Sequence, residues 1–472
     1  MKAAVSVPLP DLSWIDEFWK QAGPYIFSRE EDGILILPPN RVYKINGSGA
    51  ALVRYLKEGG KASSLFTGKG KPCPSGQLQQ VEVFFKTLAE LYAGEGSGAA
   101  ALERVPYTFD FSRLPILGEV ALTYRCNNRC LFCYAGCGPE GTSGESSGIR
   151  TGRGGDLSTE EWKKIIRIFK DEARIPFFSF SGGEPLLRRD LEELVSYAIG
   201  LGLEVNLVSN GTLADDKRAA SLYAAGLRTA QISVEAPESG LHDLLAGRTG
   251  SFHETVRGIR ALMKAGISVQ TNTTISRRNR EAAAAMPAFL LSLGVNRFAM
   301  NMYIPGSLPV RDDLLLSYDE IGPVVDSVRK AAFQAGLTFY WYSPTPFCYY
   351  NPIARGMGNK SCAAADGLIS VAANGDILPC SSWDEPMGNL LKTPFRELWF
   401  SQRALFFKHK HFAPSSCREC GAFNACQGAC PLYWRSCGEG LLGNLKTTGT
   451  NTTAPIPATF TNQTIREKHH ES

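Results

Sequence analysis

The sequence predicts an α/β protein: a partial (β/α)6 barrel, preceded by a small winged-helix-like α+β domain and followed by a cysteine-rich domain. Three observations carry this. Between Ile116 and Asn301, short strand-like stretches alternate six times with helical ones, the pattern of a parallel sheet curling toward a barrel. Between Pro24 and Ala93, three short strands precede two helical patterns. Seven of the 13 cysteines fall between Cys362 and Cys437, in a Gly- and Pro-rich stretch.

Residues 1–22 read as a poorly structured lead-in with one amphipathic turn. Tyr25 to Phe27, Gly33 to Leu37 and Arg41 to Ile45 read as strands, with Pro38-Pro39-Asn40 turning the chain between the last two. Ser48 is positioned to cap a helix through Leu52, Tyr55 and Leu56, which stops near Gly59-Gly60. Gln77 to Ala93 places Val81, Phe84, Phe85, Leu88 and Leu91 on one side of a second helix. These elements define a domain over 23–99.

The barrel strands are predicted at Glu119–Tyr124, Phe177–Ser181, Glu204–Ser209, Thr229–Val234, Ser268–Thr274 and Arg297–Met302. Helical patterns lie at Thr159–Asp171, Asp190–Leu201, Asp215–Ala225, Ser251–Ala265 and Asn279–Leu293, giving a core over 110–310. Gly136 to Gly155 reads as a flexible Gly/Ser insertion. A further helix, Leu314–Ala335, lies in a connecting region over 311–344. The cysteine-rich domain spans 345–440, and the Thr/Asn-rich residues 441–472 read as a disordered tail.

Composition narrows the function. With 44% hydrophobic and 20% charged residues the chain can bury a sizeable core. A formal net charge of +4, without a basic stripe, argues against nucleic acid. No apolar run is long enough to span a bilayer, and Met1 to Trp14 has no signal-peptide core. The expectation is a soluble cytoplasmic protein with no membrane partner. In that reducing compartment, grouped cysteines are more often metal ligands than disulfides.

The chemistry sits at the C-terminal ends of the predicted strands, where such barrels carry their sites. After the first strand comes Cys126-Asn-Asn-Arg-Cys130-Leu-Phe-Cys133. Three thiolates at this spacing can hold three irons of a cubane and leave the fourth open. A zinc site is the alternative, with Cys137 as a fourth ligand. After the second strand, Ser181-Gly182-Gly183-Glu184-Pro185 offers backbone amides and an acceptor for an ammonium group. After the third comes the polar turn Ser209-Asn210-Gly211-Thr212. On the fourth, Ser233 and Glu235 share one face and suit ribose hydroxyls; on the fifth, Asn272 and Thr273 are weaker candidates for a carboxylate. Cys73 and Cys137 are expected to be unliganded thiols, and the six histidines form no site.

The cysteine loop, with Phe132 before its last cysteine, resembles the signature of the radical S-adenosylmethionine (SAM) superfamily, and Gly182 to Pro185 its "GGEP" stretch. The resemblance covers about residues 116–305. It implies that SAM chelates the open iron through its amino and carboxylate groups and is cleaved reductively to a 5′-deoxyadenosyl radical that abstracts hydrogen from a substrate. It places Gly182, Gly183, Glu184, Pro185, Ser209, Asn210, Ser233, Glu235 and Asn272 around SAM, with Phe132 and the region of Asn301 flanking adenine. An electron donor of flavodoxin or ferredoxin type is implied.

The order Cys362-x12-Gly375-x4-Cys380, then Cys417-x2-Cys420-x5-Cys426-x3-Cys430 and Cys437, resembles the SPASM auxiliary-cluster domain. This implies two further [4Fe–4S] clusters. One would use Cys348, Cys362, Cys380 and Cys430, the other Cys417, Cys420, Cys426 and Cys437; zinc knuckles are the alternative. Val42 to Leu56, with its Asn-Gly-Ser-Gly turn, resembles the PqqD-like peptide chaperone fold, the RiPP recognition element. That fold grips a leader peptide as an added strand. Together these imply an oxidoreductase that modifies a precursor peptide. A tetrapyrrole or a folded protein is the alternative substrate, and an iron–sulfur scaffold the non-enzymatic one.

Overall fold

The computed structural model describes residues 11–37, 41–65, 75–93, 102–106, 111–137, 155–306, 310–438 and 461–465. Cys73 and most of the Gly/Ser insertion lie outside them. The chain divides into two compact units, Met1–Arg113 with Pro455–Ser472, and Leu114–Ala454.

The first unit begins with α1 (Ser13–Ala22). The expected lead-in is therefore a helix, which buries Ile15 and Ala22, while the Asp16 carboxylate accepts hydrogen bonds from Ala62 N–H and the Ser63 hydroxyl at 2.6 Å each. Strands β1 (Phe27–Arg29), β2 (Ile34–Leu37) and β3 (Arg41–Ile45) form an antiparallel meander. The first is shifted from the expected 25–27 because Gly23–Tyr25 closes a 3-10 turn. Helix α2 (Gly47–Lys57) is capped by Asn46, not Ser48: the Asn46 side chain accepts from Gly49 N–H at 2.8 Å. A side chain at Gly49 would meet the Phe84 ring at 2.9 Å, so the Asn-Gly-Ser-Gly run lets α2 pack tightly on α3 (Ser75–Ala93). Leu35, Leu37, Tyr43, Ile45, Val53, Leu56, Val81, Phe85 and Leu88 form this unit's core.

Two more strands complete its sheet: β4 (Leu102–Pro106) and, counting ahead in the chain, β15 (Thr461–Ile465). The sheet order is β1-β2-β3-β15-β4. Within the tail expected to be disordered, residues 461–465 are thus a strand; the remainder lies outside the described residues.

The second unit holds a run of parallel strands: β5 (Leu117–Ala121), β6 (Phe177–Ser181), β7 (Glu204–Ser209), β8 (Thr229–Ser233), β9 (Ser268–Ile275), β10 (Arg297–Met302) and β11 (Thr338–Trp341). Each pairs in parallel with the next. Between them lie α4 (Thr159–Asp171), α5 (Leu191–Gly200), α6 (Asp216–Ala224), α7 (Ser239–Ala246), α8 (Ser251–Lys264), α9 (Met286–Ser292) and α10 (Tyr318–Ala335). The six expected repeats are present, and β11, in the stretch read only as a connection, adds a seventh parallel strand.

Beyond β5 the sheet continues into β12 (Leu368–Val371), β13 (Asp376–Leu378) and β14 (Gly388–Asn389) of the cysteine-rich region. β12 runs parallel to β5, so the first barrel strand has its outer edge covered and the barrel is partial. Val205, Leu207, Ala230, Ile232 and Val269 alternate outward into the core beneath the helices. No described helix is long and apolar enough to cross a membrane.

Candidate active site

The cysteine loop leaves the end of β5 and is held by backbone contacts to two neighbours. Gly183 N–H donates to Thr123 O at 2.7 Å, and Glu184 N–H to Arg125 O at 2.8 Å. A Cβ at Gly182 would lie 2.3 Å from Thr123 O, and one at Gly183 2.2 Å from Arg125 O. Gly182 also has φ +133°, which disfavours any other residue. The glycines read in the sequence as allowing close approach to a ligand therefore bring the turn against the cysteine loop itself. On the other side, Arg129 N–H donates to Ala246 O and Leu131 N–H to Leu245 O. A Cβ at Gly247, the left-handed cap of α7, would sit 2.2 Å from Arg129 O. Arg248 Nε donates to Asn128 Oδ1 at 2.8 Å. Sequence reasoning missed this second clamp because no motif marks Gly247 or Arg248.

The three thiols are mutual electrostatic neighbours. Cys126 is pushed up to about 12, mainly by burial, and Cys130 well above the ordinary thiol range for the same reason. Cys133 is held down, first by a hydrogen bond from the Cys137 thiol; Cys137 N–H also reaches the Cys133 sulfur at 3.3 Å. Cys137 is thus buried against the loop. Asn128 N–H donates to Cys126 Sγ at 3.4 Å and Asn210 Nδ2 reaches it at 3.9 Å. Among the described residues, no three His, Cys, Asp or Glu side chains converge on a point for a single ion. In a cubane each thiolate would serve a separate iron. Metal loading must displace the protons that burial retains, so it is pH-linked.

Glu184 is fully buried. Its Oε1 accepts from Ser209 Oγ (2.8 Å) and Leu186 N–H (2.9 Å), and its Oε2 from Asn210 N–H (2.8 Å). Burial nonetheless pushes its carboxyl up to about 7. Its acceptors thus tie the β6 turn to the β7 turn. Asn210 Nδ2 donates to Asn127 Oδ1 (2.9 Å), and Asn127 Nδ2 to Thr212 Oγ1 (2.8 Å), joining the β7 turn to the cysteine loop.

Glu235 is buried just past β8, and its carboxyl is pushed up to about 8 by desolvation; Thr274 N–H donates to its Oε2 at 2.9 Å. Its own N–H donates to His242 Nδ1 at 3.2 Å. Burial holds His242 down to about 4, so the ring is neutral and can accept. No histidine was expected to serve the site, and this one shapes it through a backbone amide. The carboxyl of Glu235 binds its proton more tightly folded than unfolded, so its share of stability falls as pH rises from about 4.5 to about 8. Glu235→Gln should therefore lose less thermal stability than the wild type between pH 5.5 and 8.5, by on the order of 5 °C in differential scanning fluorimetry.

On β9, Asn272 Nδ2 donates to Asn301 Oδ1 at 2.8 Å, while Asn272 Oδ1 is buried without a partner among the described residues. An orphaned acceptor suits a ligand's hydroxyl or ammonium donor better than the carboxylate expected there. Ser233 pairs beside Asn272 across β8 and β9. Phe132 packs with Leu245, Tyr303 and Leu314 beside the loop. Below this rim, the face opposite the core carries polar groups. Ser181 Oγ donates to Glu119 Oε1 (3.1 Å), Asn206 Nδ2 to Ser179 Oγ (3.2 Å), and Gln270 Nε2 to Gln231 Oε1 (3.3 Å) and the Tyr342 hydroxyl (2.8 Å). Lys360 Nζ stands 4.9 Å over the Tyr342 ring.

In the cysteine-rich region Cys362, Cys380 and Cys430 are electrostatic neighbours. Cys348 is not with them: its thiol is pushed up to about 12 by burial and then by Cys426, Cys417 and Cys420, and Phe347 N–H donates to Cys426 Sγ at 3.4 Å. Cys348 therefore stands beside Cys417, Cys420 and Cys426, where the expected grouping had put it with Cys362, Cys380 and Cys430. Cys437 sits against Tyr433, one turn back on Pro431–Cys437. Cys348→Ala and Cys417→Ala should lose the same iron–sulfur signal by Mössbauer spectroscopy, and Cys362→Ala a different one.

Family profiles agree with this layout. The radical SAM superfamily matches residues 120–284, and the SPASM iron–sulfur cluster-binding domain residues 362–421. An AdoMet-dependent heme synthase of Oleidesulfovibrio alaskensis is 28% identical over 323 residues, 65% of this chain and 80% of its own. A PqqA peptide cyclase of Xanthomonas euvesicatoria is 26% identical over 326 residues, 67% of this chain and 82% of its own. In fold, SuiB of Streptococcus suis aligns over 86% of this chain and 95% of its own, with TM-score 0.62 and 17% identity. Native anSMEcpe, with AdoMet and the Cp18Cys peptide bound, aligns over 70% of this chain and 99% of its own, with TM-score 0.53 and 14% identity. The chain thus joins a radical SAM domain to a SPASM iron–sulfur cluster-binding domain, and the cofactors these domains bring are SAM, a [4Fe–4S] cluster and auxiliary iron–sulfur clusters.

Proposed function

We propose that this enzyme modifies a ribosomally made peptide, with the N-terminal unit holding the precursor's leader. The observation that carries the reading is the extent of the fold match. SuiB aligns over 86% of the chain, more than Leu114–Ala454 can supply alone, so the likeness extends into the N-terminal unit. SuiB has also been solved bound to its precursor peptide SuiA, and the PqqA peptide cyclases among the sequence relatives act on a peptide.

In this reading Cys126, Cys130 and Cys133 hold the catalytic cluster. When bound, that cluster and SAM supply a 5′-deoxyadenosyl radical. The protein's part is placement and exclusion of water. Gly182, Gly183 and Glu184 fix the cysteine loop; the backbone of Gly182 to Pro185, with Ser209 and Asn210, edges the amino-acid end of SAM; Ser233, Glu235 and the orphaned Asn272 carbonyl face ribose; Phe132 packs toward adenine. Cys362, Cys380 and Cys430 serve one auxiliary cluster and Cys417, Cys420 and Cys426 the other, with Cys437 and the neighbouring Cys348 as candidates for its fourth ligand. A flavodoxin or ferredoxin supplies the electron, and the cytoplasm is the setting.

The heme synthases among the relatives favour a second reading, a tetrapyrrole substrate. The test is direct. Precursor-like peptides encoded beside the gene are co-expressed with the enzyme and examined by mass spectrometry. A mass loss of a few daltons, or a crosslink, that disappears in the Cys126→Ala variant supports the peptide reading. Decarboxylation of a propionate-bearing tetrapyrrole, with every peptide unchanged, overturns it.

A further inference from the structure

The sheet of the N-terminal unit has a strand supplied from the far end of the chain. Thr464 and Ile465 of β15 pair in parallel with Lys44 and Ile45 of β3, and Thr461 to Ile465 pair antiparallel with Pro106 to Leu102 of β4. Both edges of β15 are therefore used. Among the described residues, β15 is the only strand β4 pairs with, and β3 has β2 on its other side. Paired strands stand about 4.8 Å apart, so β3 and β4 are held about 10 Å apart, the width of one inserted strand. Take β15 out, and a row of unpaired β3 backbone groups opens, which an extended peptide can satisfy without regard to most of its side chains.

The geometry points to a strand-exchange slot between β3 and β4, plugged in cis by residues 461–465, which an extended peptide must displace to bind. Its consequence for substrate rests on the peptide reading above; the plug itself rests only on the strand pairing. Covalent attachment gives the plug an effective concentration on the order of millimolar for a short linker. A free peptide is then captured only if it binds more tightly, or if the tail is drawn away. The slot would filter weak peptides at the sheet edge and leave that edge covered between substrates, which also blunts edge-to-edge aggregation.

The probe is a fluorescein-labelled peptide of residues 455–472, read by anisotropy without SAM or reductant. The chain ending at Ala454 should bind it saturably, and the full chain at least about a hundredfold more weakly. Thr464→Pro in the full chain removes a ladder donor and should open the slot, so that variant should bind the wild-type peptide like the shortened chain. The same substitution in the peptide should abolish binding. If the shortened chain does not fold, the full-length Thr464→Pro variant decides. Equal binding by full and opened chains, or none by the opened chain, overturns the proposal. Because capture is read apart from chemistry, a protein that captures its tail peptide yet modifies no ribosomal peptide keeps the slot and loses the peptide reading.

Discussion

Replacing Cys126, Cys130 and Cys133 together with Ala should abolish SAM cleavage, to at least about 10³-fold below the wild type, while the auxiliary iron stays. In the proposed reading these three thiols would each ligate a different iron of a cubane. Losing them removes four irons per chain, readable by iron analysis and by the loss of one component from the electron paramagnetic spectrum. The cysteines of the C-terminal region lie on separate segments, from Cys348 to Cys437, and their signals should persist. SAM turnover retained by the triple variant would move the chemistry elsewhere in the chain.

The second large effect is predicted at a residue that carries no functional group. Gly183→Ala would place a Cβ 2.2 Å from Arg125 O, a backbone atom that cannot swing aside. The turn after β6 or the loop after β5 must move, and the hydrogen bond from Glu184 N–H to Arg125 O goes with it. A displacement near 1 Å in a reacting site costs about 10²-fold in rate. Gly183→Ala should therefore lower SAM cleavage by about that factor in protein that still binds close to its full iron. Gly60→Ala, in the other compact unit with the Tyr55 ring as its nearest neighbour, is a useful control that should leave SAM cleavage unchanged.

Much of this was legible in the sequence because the information is local. The cysteine spacing, the Ser181 to Pro185 turn and the period of the barrel repeats each sit within a few consecutive residues. What sequence reading missed is non-local. The Gly247 cap and Arg248 support the cysteine loop from about 120 residues away, the first by a close backbone approach to Arg129 O and the second by a side-chain bond to Asn128 that no local spacing marks. His242 acts on a backbone amide rather than a ligand, so no spacing announces it. The strand β11 is four residues long and follows a long helix, too short for its alternation to stand out. Helix α1 follows Pro8 and Pro10, which read as loop, yet its burial of Ile15 decides the matter. Cys348 shows the limit most plainly. Order along the chain says that it can be a ligand, but only the fold says that its neighbours are Cys417, Cys420 and Cys426.

The measurement that bears most directly on the whole account is SAM turnover by the anaerobically reconstituted, dithionite-reduced full chain, followed by chromatography. The account predicts 5′-deoxyadenosine and methionine in equal amounts, together with a change in the reduced catalytic cluster's paramagnetic signal when SAM is added. Intact SAM and an unaltered signal, in protein whose three clusters are fully loaded, would contradict it.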